Sequence, residues 1–253
     1  MHAFTPPGSA PASVSVTVSR ARLTYGGAPL FEDLTLRLEA AEVTCLLGPS
    51  GVGKTTLLRL IAGLAEPEPP TTVTAGDGRP LTGRVAYMAQ QDLLMPWLSV
   101  LDNVLLGARL RGERRSPDLI ADARGLLARV GLEGRERDRP AALSGGQRQR
   151  VALARTLMEH RPVVLMDEPF SALDAITRLR LQELAAELLA GRTVLLVTHD
   201  PLEALRLGHR VHAMTGMPAT IGPALEPPGL PPRAPDDPTV LALQGELLRR
   251  LAA

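Results

Sequence analysis

The sequence predicts an α/β fold built on a largely parallel sheet. Short apolar runs, typical of buried strands, occur at residues 43–47, 163–166 and 193–197. A glycine-rich segment at 48–55 joins the first run to a leucine-rich helical stretch. A second helix, predicted from Ala175 to Leu189, lies between the other two runs. Such alternation of buried strands with helices is typical of parallel sheets.

Composition limits the class of protein. The chain has 253 residues, 45% of them hydrophobic, which is enough for one large domain, or for one core with an inserted subdomain. The net charge of +1 gives no argument for a nucleic-acid partner, since a DNA-binding protein usually shows a concentrated basic face, and we expect no such partner. The one cysteine, Cys45, cannot form an internal disulfide, which fits a reducing compartment. We find no signal-peptide pattern and no apolar run near the roughly 20 residues that span a bilayer, so we expect a soluble protein or one held at a membrane by a partner.

Composition and periodicity divide the chain into parts. Residues 1–13 are rich in Pro, Ala and Ser, which predicts a disordered tail. The strand and helix patterns at 14–90 and 160–222 predict the α/β core. Between them, 91–159 carries leucines at helical spacing and predicts an inserted helical subdomain. Residues 223–253 predict a Pro-rich segment followed by a C-terminal helix.

Individual elements follow from local patterns. Residues 14–23 and 34–38 alternate apolar with polar side chains, which predicts strands. Residues 67–83 are rich in turn formers and predict an exposed connection. The helical pattern of the insert runs from about 91 to 143, and a terminal helix is predicted over 239–251.

The glycine-rich segment matches G-x-x-x-x-G-K-[ST] and lies between a predicted strand and a predicted helix, the context that makes this motif specific for phosphate binding. An ordinary glycine-rich turn is the alternative. It explains neither this context nor the fact that Lys54 is the sole lysine of the chain. Lys54 is expected to reach the outer phosphates of ATP, and Thr55 to offer its hydroxyl to Mg²⁺. The residues expected to contact the nucleotide here are Gly48, Pro49, Ser50, Gly51, Val52, Gly53, Lys54, Thr55 and Thr56.

Two carboxylates, Asp167 and Glu168, follow the apolar run at 163–166. Ligands of open α/β sheets bind at the carboxyl edge of the strands, where these side chains are predicted to lie. Asp167 is expected to orient the Mg²⁺ shell, and Glu168 to act as general base on the attacking water. A solvated acidic turn is the alternative, and the adjacent phosphate loop argues against it.

Three further segments resemble motifs of ATP-binding-cassette (ABC) ATPases. Leu-Ser-Gly-Gly-Gln at 143–147 is similar to the family's signature, and Ser-Ala-Leu-Asp at 171–174 to its D-loop. Val-Thr-His-Asp at 197–200 is similar to its switch region, with His199 as the switch histidine. Together with the phosphate loop and the acidic pair, these motifs follow the family's order along nearly the whole chain.

The resemblance implies a P-loop NTPase fold: a RecA-like core with an antiparallel β edge and an inserted helical subdomain. It also implies a head-to-tail homodimer, in which each ATP lies between the phosphate loop of one copy and the signature of the other. Ser144, Gly145, Gly146 and Gln147 would then contact ATP held by the partner, and Asp174 of the D-loop would also bind the nucleotide.

The remaining site roles also rest on the resemblance. Tyr25 occupies the position of an aromatic that stacks on adenine, with simple packing at a strand end as the alternative. Gln90 occupies the Q-loop position, although Gln91 is adjacent, and would bind Mg²⁺ or water and report the nucleotide state. His199 would contact the γ-phosphate.

The segment at 93–104 resembles importers of the nitrate, sulfonate and taurine group, whose relatives include importers of the thiamine precursor hydroxymethylpyrimidine. This implies a transmembrane permease as partner, an external substrate-binding protein as indirect partner, and a location on the cytoplasmic face of the inner membrane. Trp97 is either an anchor for the permease or packed inside the insert. The alternatives are an ABC ATPase of DNA repair or of ribosomes, and an exporter ATPase.

Overall fold

The computed structural model describes residues 12–252. The predicted tail at 1–13 therefore lies outside the described residues, except for residues 12 and 13, which belong to no helix or strand. The strands are β1 (Val16–Tyr25), β2 (Ala28–Leu38), β3 (Val43–Leu47), β4 (Thr72–Ala75), β5 (Val85–Met88), β6 (Val163–Asp167), β7 (Thr193–Val197), β8 (Arg210–Thr215) and β9 (Thr220–Ile221). The helices are α1 (Lys54–Ile61), α2 (Val100–Val104), α3 (Leu106–Leu110), α4 (Pro117–Arg129), α5 (Gly145–Met158), α6 (Ala175–Leu189), α7 (Pro201–Leu207) and α8 (Pro238–Ala252), with a 3₁₀ turn at Pro140–Ala142.

The central sheet has the order β5-β6-β7-β3-β8-β9. All neighbouring pairs are parallel except β8 and β9, which are antiparallel. Asp167 at the end of β6 pairs with Val197 at the end of β7, and Val197 pairs with Leu46 in β3. The segments that follow these three strands therefore leave the same edge of the sheet side by side.

The apolar core lies on both faces of this sheet, which explains the continuous apolar runs in the sequence. In β6, Val164 and Met166 face the cluster that includes the helices of the insert. Val163 and Leu165 face the opposite cluster, formed with α1, β1 and β2. A strand buried on both faces shows no alternation of apolar and polar side chains, because neither face is exposed to water.

A second, antiparallel sheet has the order β2-β1-β4 and supplies the predicted β edge. The prediction that 67–83 is only a turn-rich connection is wrong, because β4 lies within it and pairs with residues 16–19 of β1. Of the four β4 residues only Ala75 is buried. The strand is therefore held by backbone pairing to a distant segment, which leaves little hydrophobic pattern in the sequence.

Helices α2 to α5 all lie between residues 91 and 159, and α5 packs against α2, α4 and β5. The helical pattern predicted from Gln91 is wrong for the first residues, since the first helix of this region starts at Val100. The Asn103 side chain organises the preceding loop: its Oδ1 accepts from the Met95 N–H at 2.7 Å, and its Nδ2 donates to the Met95 carbonyl at 3.2 Å. These side-chain hydrogen bonds take the place of helical backbone hydrogen bonds at Met95, so the segment before α2 is a loop.

The C-terminal part follows the prediction closely. The Pro-rich stretch contains no helix, and α8 extends one residue beyond the predicted range at each end. Helix α8 packs against α7 and β8, so the end of the chain returns to the sheet. Within residues 12–252, none of the helices combines the length and apolar character needed to cross a bilayer.

Candidate functional site

The loop between β3 and α1 is shaped by two glycines that no other residue could replace without a clash. A Cβ atom on Gly48 would lie 2.3 Å from the carbonyl oxygen of Met214. Gly53 has a φ of 111°, and a Cβ there would lie 2.8 Å from Cε1 of Phe31. The loop is therefore pressed against β8 and β2, which fix its path.

This loop presents unpaired backbone donors. Among residues 12–252, the structure shows no hydrogen-bond acceptor for the backbone N–H groups of Ser50, Gly51 and Gly53. The first turn of α1 adds N–H groups without intrahelical partners, together with the positive end of the helix dipole. They border a pocket of about 250 Å³, lined by Tyr25, Leu30, Ser50, Gly51, Gly53, Lys54, Thr55, Thr56, Gln90, Asp167 and Glu168. The pocket therefore fits the phosphate chain of a nucleotide.

Lys54 is held in place by the loop itself. Its side chain is buried, and Nζ donates to the carbonyl oxygens of Gly48 at 2.7 Å and Pro49 at 2.9 Å. Burial lowers the pKa of the ammonium group, and the charges of Glu168 and Asp167 oppose this effect. A third N–H of the ammonium remains for a ligand in the pocket.

Thr55 and Asp167 form an oxygen pair of the kind that Mg²⁺ prefers. The Thr55 hydroxyl donates to Oδ2 of Asp167 at 2.6 Å, and Asp167 is buried at the end of β6. Burial raises the pKa of this carboxyl, the Thr55 hydrogen bond lowers it, and the neighbouring Glu168 raises it further. A half-buried hydroxyl and a buried carboxylate beside a phosphate pocket fit a Mg²⁺ ion bound with phosphate oxygens and water.

Gln90, Glu168 and His199 meet because they follow three adjacent strands, β5, β6 and β7. Oε2 of Glu168 lies 3.1 Å from Nδ1 of His199 and 3.4 Å from Nε2 of Gln90. The Glu168 backbone has a φ of 49°, uncommon for a non-glycine residue, and its N–H donates to the Val197 carbonyl at 2.8 Å. A carboxylate fixed by its backbone and by two side-chain partners can orient a water molecule and accept its proton.

Tyr25 ends β1 with its side chain 80% exposed. The exposure argues against the alternative that the ring packs at the strand end. Because Tyr25 also lines the phosphate-loop pocket beside Leu30, its ring is available to a planar group at the pocket mouth.

The signature segment lies at the start of α5, away from the phosphate-loop pocket. The Ser144 hydroxyl accepts from the Gln147 N–H at 3.2 Å, while the Ser144 N–H donates to Oε1 of Gln147 at 2.8 Å, which closes a capping box at the start of α5. A Cβ on Gly146 would lie 3.1 Å from the Ala172 carbonyl oxygen. The signature therefore packs against the D-loop of its own chain and contributes no side chain to the phosphate-loop pocket.

Asp174 has a local structural role. Its carboxylate accepts from the Thr177 N–H at 3.0 Å and caps α6, and this hydrogen bond lowers its pKa. The carboxylate lies on the surface, so the cap leaves it accessible to a partner.

Sequence reasoning missed two residues that shape the site. Leu30 lines the pocket, and Phe31 is buried against Gly53. Both belong to β2, where the alternating pattern was recognised only from Leu34 onward. Their role depends on β2 crossing the phosphate loop, for which the sequence carries no motif.

Comparison with known proteins identifies the family to which the chain belongs. Its residues 31–171 match the family model described as "ABC transporter". An uncharacterised ABC transporter ATP-binding protein of Haemophilus influenzae is 46% identical over 93% of this chain and 98% of its own length. The aliphatic sulfonates import ATP-binding protein SsuB 1 of Rhodococcus jostii is 48% identical over 88% of each chain.

Solved structures agree with the fold. A dimeric structure of the bacterial ABC transporter cassette MJ0796 has a TM-score of 0.74 at 29% identity and covers 85% of this chain and 100% of its own. A post-hydrolysis state of the same cassette, bound to ADP and Pi, has a TM-score of 0.71 at 28% identity and covers 85% of this chain and 100% of its own. The predicted family and fold are confirmed: the chain belongs to the ABC transporter family, as an ATP-binding protein that hydrolyses ATP to drive transport.

Proposed function

We propose that the chain is the ATPase subunit of an importer of aliphatic sulfonates. The observation that carries this proposal is the 48% identity, over 88% of both chains, to a protein named for aliphatic sulfonate import. Other proteins with the same printed function are 40–43% identical over about nine-tenths of this chain. Within the predicted group of nitrate, sulfonate, taurine and thiamine-precursor importers, these relatives favour sulfonates.

At the nucleotide, Lys54 and the backbone N–H groups of the loop bind the phosphates, and Tyr25 stacks on adenine. Thr55, Asp167 and Gln90 would hold Mg²⁺, which, when bound, would offset the charge on the phosphate oxygens. Glu168 takes the proton of the attacking water. His199 holds Glu168 in orientation and supports the γ-phosphate. The contacts of Glu168 with His199 at 3.1 Å and with Gln90 at 3.4 Å support these roles.

The complete site requires two copies of the chain. The signature and the phosphate loop of one chain do not share a pocket, so the signature residues and Asp174 contact ATP held by a second copy. The dimeric arrangement of the MJ0796 cassette supports a head-to-tail homodimer. Closure on ATP then brings the two copies together.

A permease docks on the segment that follows Gln90. Trp97 is 68% exposed, which argues against packing inside the insert. The loop before it is tied to α5, since Arg155 donates to the Asp92 carbonyl at 2.7 Å and Arg148 pairs with the Asp92 carboxylate at 3.0 Å. A movement at Gln90 therefore reaches both the docking surface and the signature helix. In this proposal the permease holds the subunit at the cytoplasmic face of the membrane, and the external binding protein acts through the permease.

The proposal is tested on the complex itself. We would purify the complex from membranes of the source cells with a tag on this chain and reconstitute it in vesicles with its binding protein. ATP hydrolysis would be measured with ethanesulfonate, taurine, nitrate or hydroxymethylpyrimidine. Stimulation by ethanesulfonate above the other three is expected. Stimulation by nitrate or hydroxymethylpyrimidine alone would overturn the sulfonate assignment, and a chain that brings down no permease would overturn the importer assignment.

A further inference from the structure

Arg233 joins the Pro-rich C-terminal segment to the end of α7. Its guanidinium is buried, and burial lowers its pKa. An arginine side chain has five N–H donors, and here each one meets a backbone carbonyl. The acceptors lie 2.7–2.8 Å away and are Leu205, Gly208, Pro227, Pro228 and Gly229. The shape and number of these bonds match arginine and no other side chain.

The backbone of Arg233 continues the connection into α7. Its N–H donates to the Arg206 carbonyl at 3.0 Å, and its carbonyl accepts from Nε of Arg206 at 2.9 Å. The Arg206 side chain donates in turn to Oε1 of Gln182 in α6. Nε2 of Gln182 donates to Oε2 of Glu203 at 3.0 Å. Both Gln182 and Glu203 are buried, so the polar chain has few alternative partners.

Glu203 is the last residue of this series of hydrogen bonds, and it contacts the switch region. A hydrogen bond from the Thr198 hydroxyl lowers the pKa of the Glu203 carboxyl, against the larger effect of burial. The same hydroxyl accepts from the Asp200 N–H at 3.0 Å, and the Asp200 carboxylate accepts from the N–H groups of Leu202 and Glu203. The residues on both sides of His199 are therefore fixed to the first turn of α7, while the His199 side chain itself is 63% exposed.

We infer that Glu203, Gln182, Arg206 and Arg233 form a positioning network that holds His199 against Glu168. The C-terminal segment thereby sets the rate of hydrolysis, although no residue of it lines the phosphate-loop pocket. This inference rests on the proposed role of His199. Since His199 has little packing of its own, its position depends on Thr198 and Asp200, and through them on this network.

The test uses Arg233→Lys in the full chain, with kcat and KM for ATP measured on samples shown to be folded by circular dichroism. Lysine keeps the charge but offers only three donors, so the connection between the tail and α7 is weakened. We expect kcat to fall about tenfold with KM within about twofold, because small misplacements of a catalytic group cost large factors in rate. The matched control is Arg250→Lys on α8, whose guanidinium is partly exposed and pairs with Glu246. It should leave kcat unchanged.

A double-mutant comparison separates positioning from general stability. In a His199→Ala background, Arg233→Lys should lower kcat no further, since the group that it positions is gone. The inference would be overturned if Arg233→Lys lowered kcat by the same factor in the His199→Ala background as in the unmodified chain. It would also be overturned if Arg233→Lys alone left kcat unchanged. If Arg233→Lys does not fold, Thr198→Ala and Glu203→Gln undergo the same comparison. A normal kcat in His199→Ala alone would instead refute the proposed role of His199.

Discussion

Nδ1 of His199 lies 3.1 Å from Oε2 of Glu168, although 30 residues separate them in the sequence. Nε2 of Gln90 approaches the same oxygen at 3.4 Å. Because a carboxylate only accepts hydrogen bonds, His199 is expected to carry its proton on Nδ1. The Nε2 atom of His199 then faces away from Glu168, and Oε1 of Glu168 remains available to a water molecule.

The Glu168→Gln substitution tests the general base. Glutamine keeps the size of the side chain but cannot accept the proton of water, so hydrolysis should fall by about 10²–10⁴-fold. ATP affinity should stay within a few-fold, since Lys54 and the loop are unchanged. Phosphate release and nucleotide titration measure the two quantities.

Two comparisons sharpen this test. Glu133→Gln replaces an exposed carboxylate in the insert and should hydrolyse ATP at the normal rate. Because Glu168→Gln retains ATP, light scattering should show it as a monomer alone and as a dimer with ATP. Normal turnover in Glu168→Gln would remove the assignment of the base, and a monomer in saturating ATP would remove the nucleotide-dependent dimer.

Lys54→Arg tests whether the loop selects a point charge. Nζ of Lys54 fits between two carbonyls at 2.7 and 2.9 Å, where a planar guanidinium is too broad. Losing one charge-assisted hydrogen bond to phosphate costs about 1.5–3 kcal/mol, so ATP affinity should fall by roughly 10- to 100-fold despite the retained charge. Arg249→Lys on the exposed side of α8 is the control for an Arg–Lys exchange. Unchanged affinity in Lys54→Arg would show that the loop tolerates the wider group.

The sequence predicted the elements that bury their side chains or carry a motif. Strands β3, β6 and β7 were predicted because their sequences are mostly apolar, as expected of strands buried on both faces. Strand β4 was not, because backbone pairing with β1 holds it and only Ala75 is buried. The loop before α2 was predicted as helix because the region carries leucines at helical spacing. Its backbone instead bonds to the Asn103 side chain, a contact that no periodic pattern in the sequence reveals.

The same distinction applies to the site. The phosphate loop is one continuous segment, so its sequence suffices to identify it. The meeting of Gln90, Glu168 and His199 depends on the order of β5, β6 and β7 in the sheet, which no local pattern encodes. The role of Arg233 was not predicted from the sequence because its acceptors are backbone carbonyls, which every residue type supplies.

A mixing experiment tests the shared site. Lys54→Ala disables the phosphate loop of one copy, and Ser144→Arg disables the signature of the other. In a head-to-tail dimer that contains one copy of each variant, both mutated halves meet in one site and the other site is intact. About half of the dimers in an equal mixture are such hybrids. A mixture of two inactive proteins should therefore regain about a quarter of normal activity if the sites are independent. Each variant is assayed alone at the same total concentration. A mixture no more active than its parts would show that the signature and the phosphate loop do not combine across copies.

Trp97→Ala tests the docking surface. A large exposed aromatic at an interface contributes much of its affinity, so truncation should cost about 2 kcal/mol or more in permease binding. Recovery of the permease with the tagged chain, and substrate stimulation of ATP hydrolysis, should both fall. Leu110→Ala is a matched control, since Leu110 is 78% exposed in the same helical region. Equal losses in the two variants would argue against Trp97 as an anchor.

The buried Glu203 predicts how stability depends on pH. Burial raises its pKa from 4.5 to about 7, with Asp200 adding to the rise and Thr198, Gln182 and Arg178 opposing it. The folded state therefore binds this proton more tightly than the unfolded state, so the contribution is full below pH 4.5 and is lost as pH rises through 7. The shift corresponds to about 3 kcal/mol.

Urea unfolding at pH 5 and pH 8 measures this contribution. Between these pH values, Glu203→Gln should lose about 2–3 kcal/mol less stability than the unmodified chain, because the amide stays neutral throughout. All other titrating groups are common to both proteins and cancel in the difference. Glu246→Gln, at the partly exposed ion pair on α8, should follow the unmodified chain. If Glu203→Gln also follows it, then Glu203 titrates alike in the folded and unfolded states, and its burial does not control its charge.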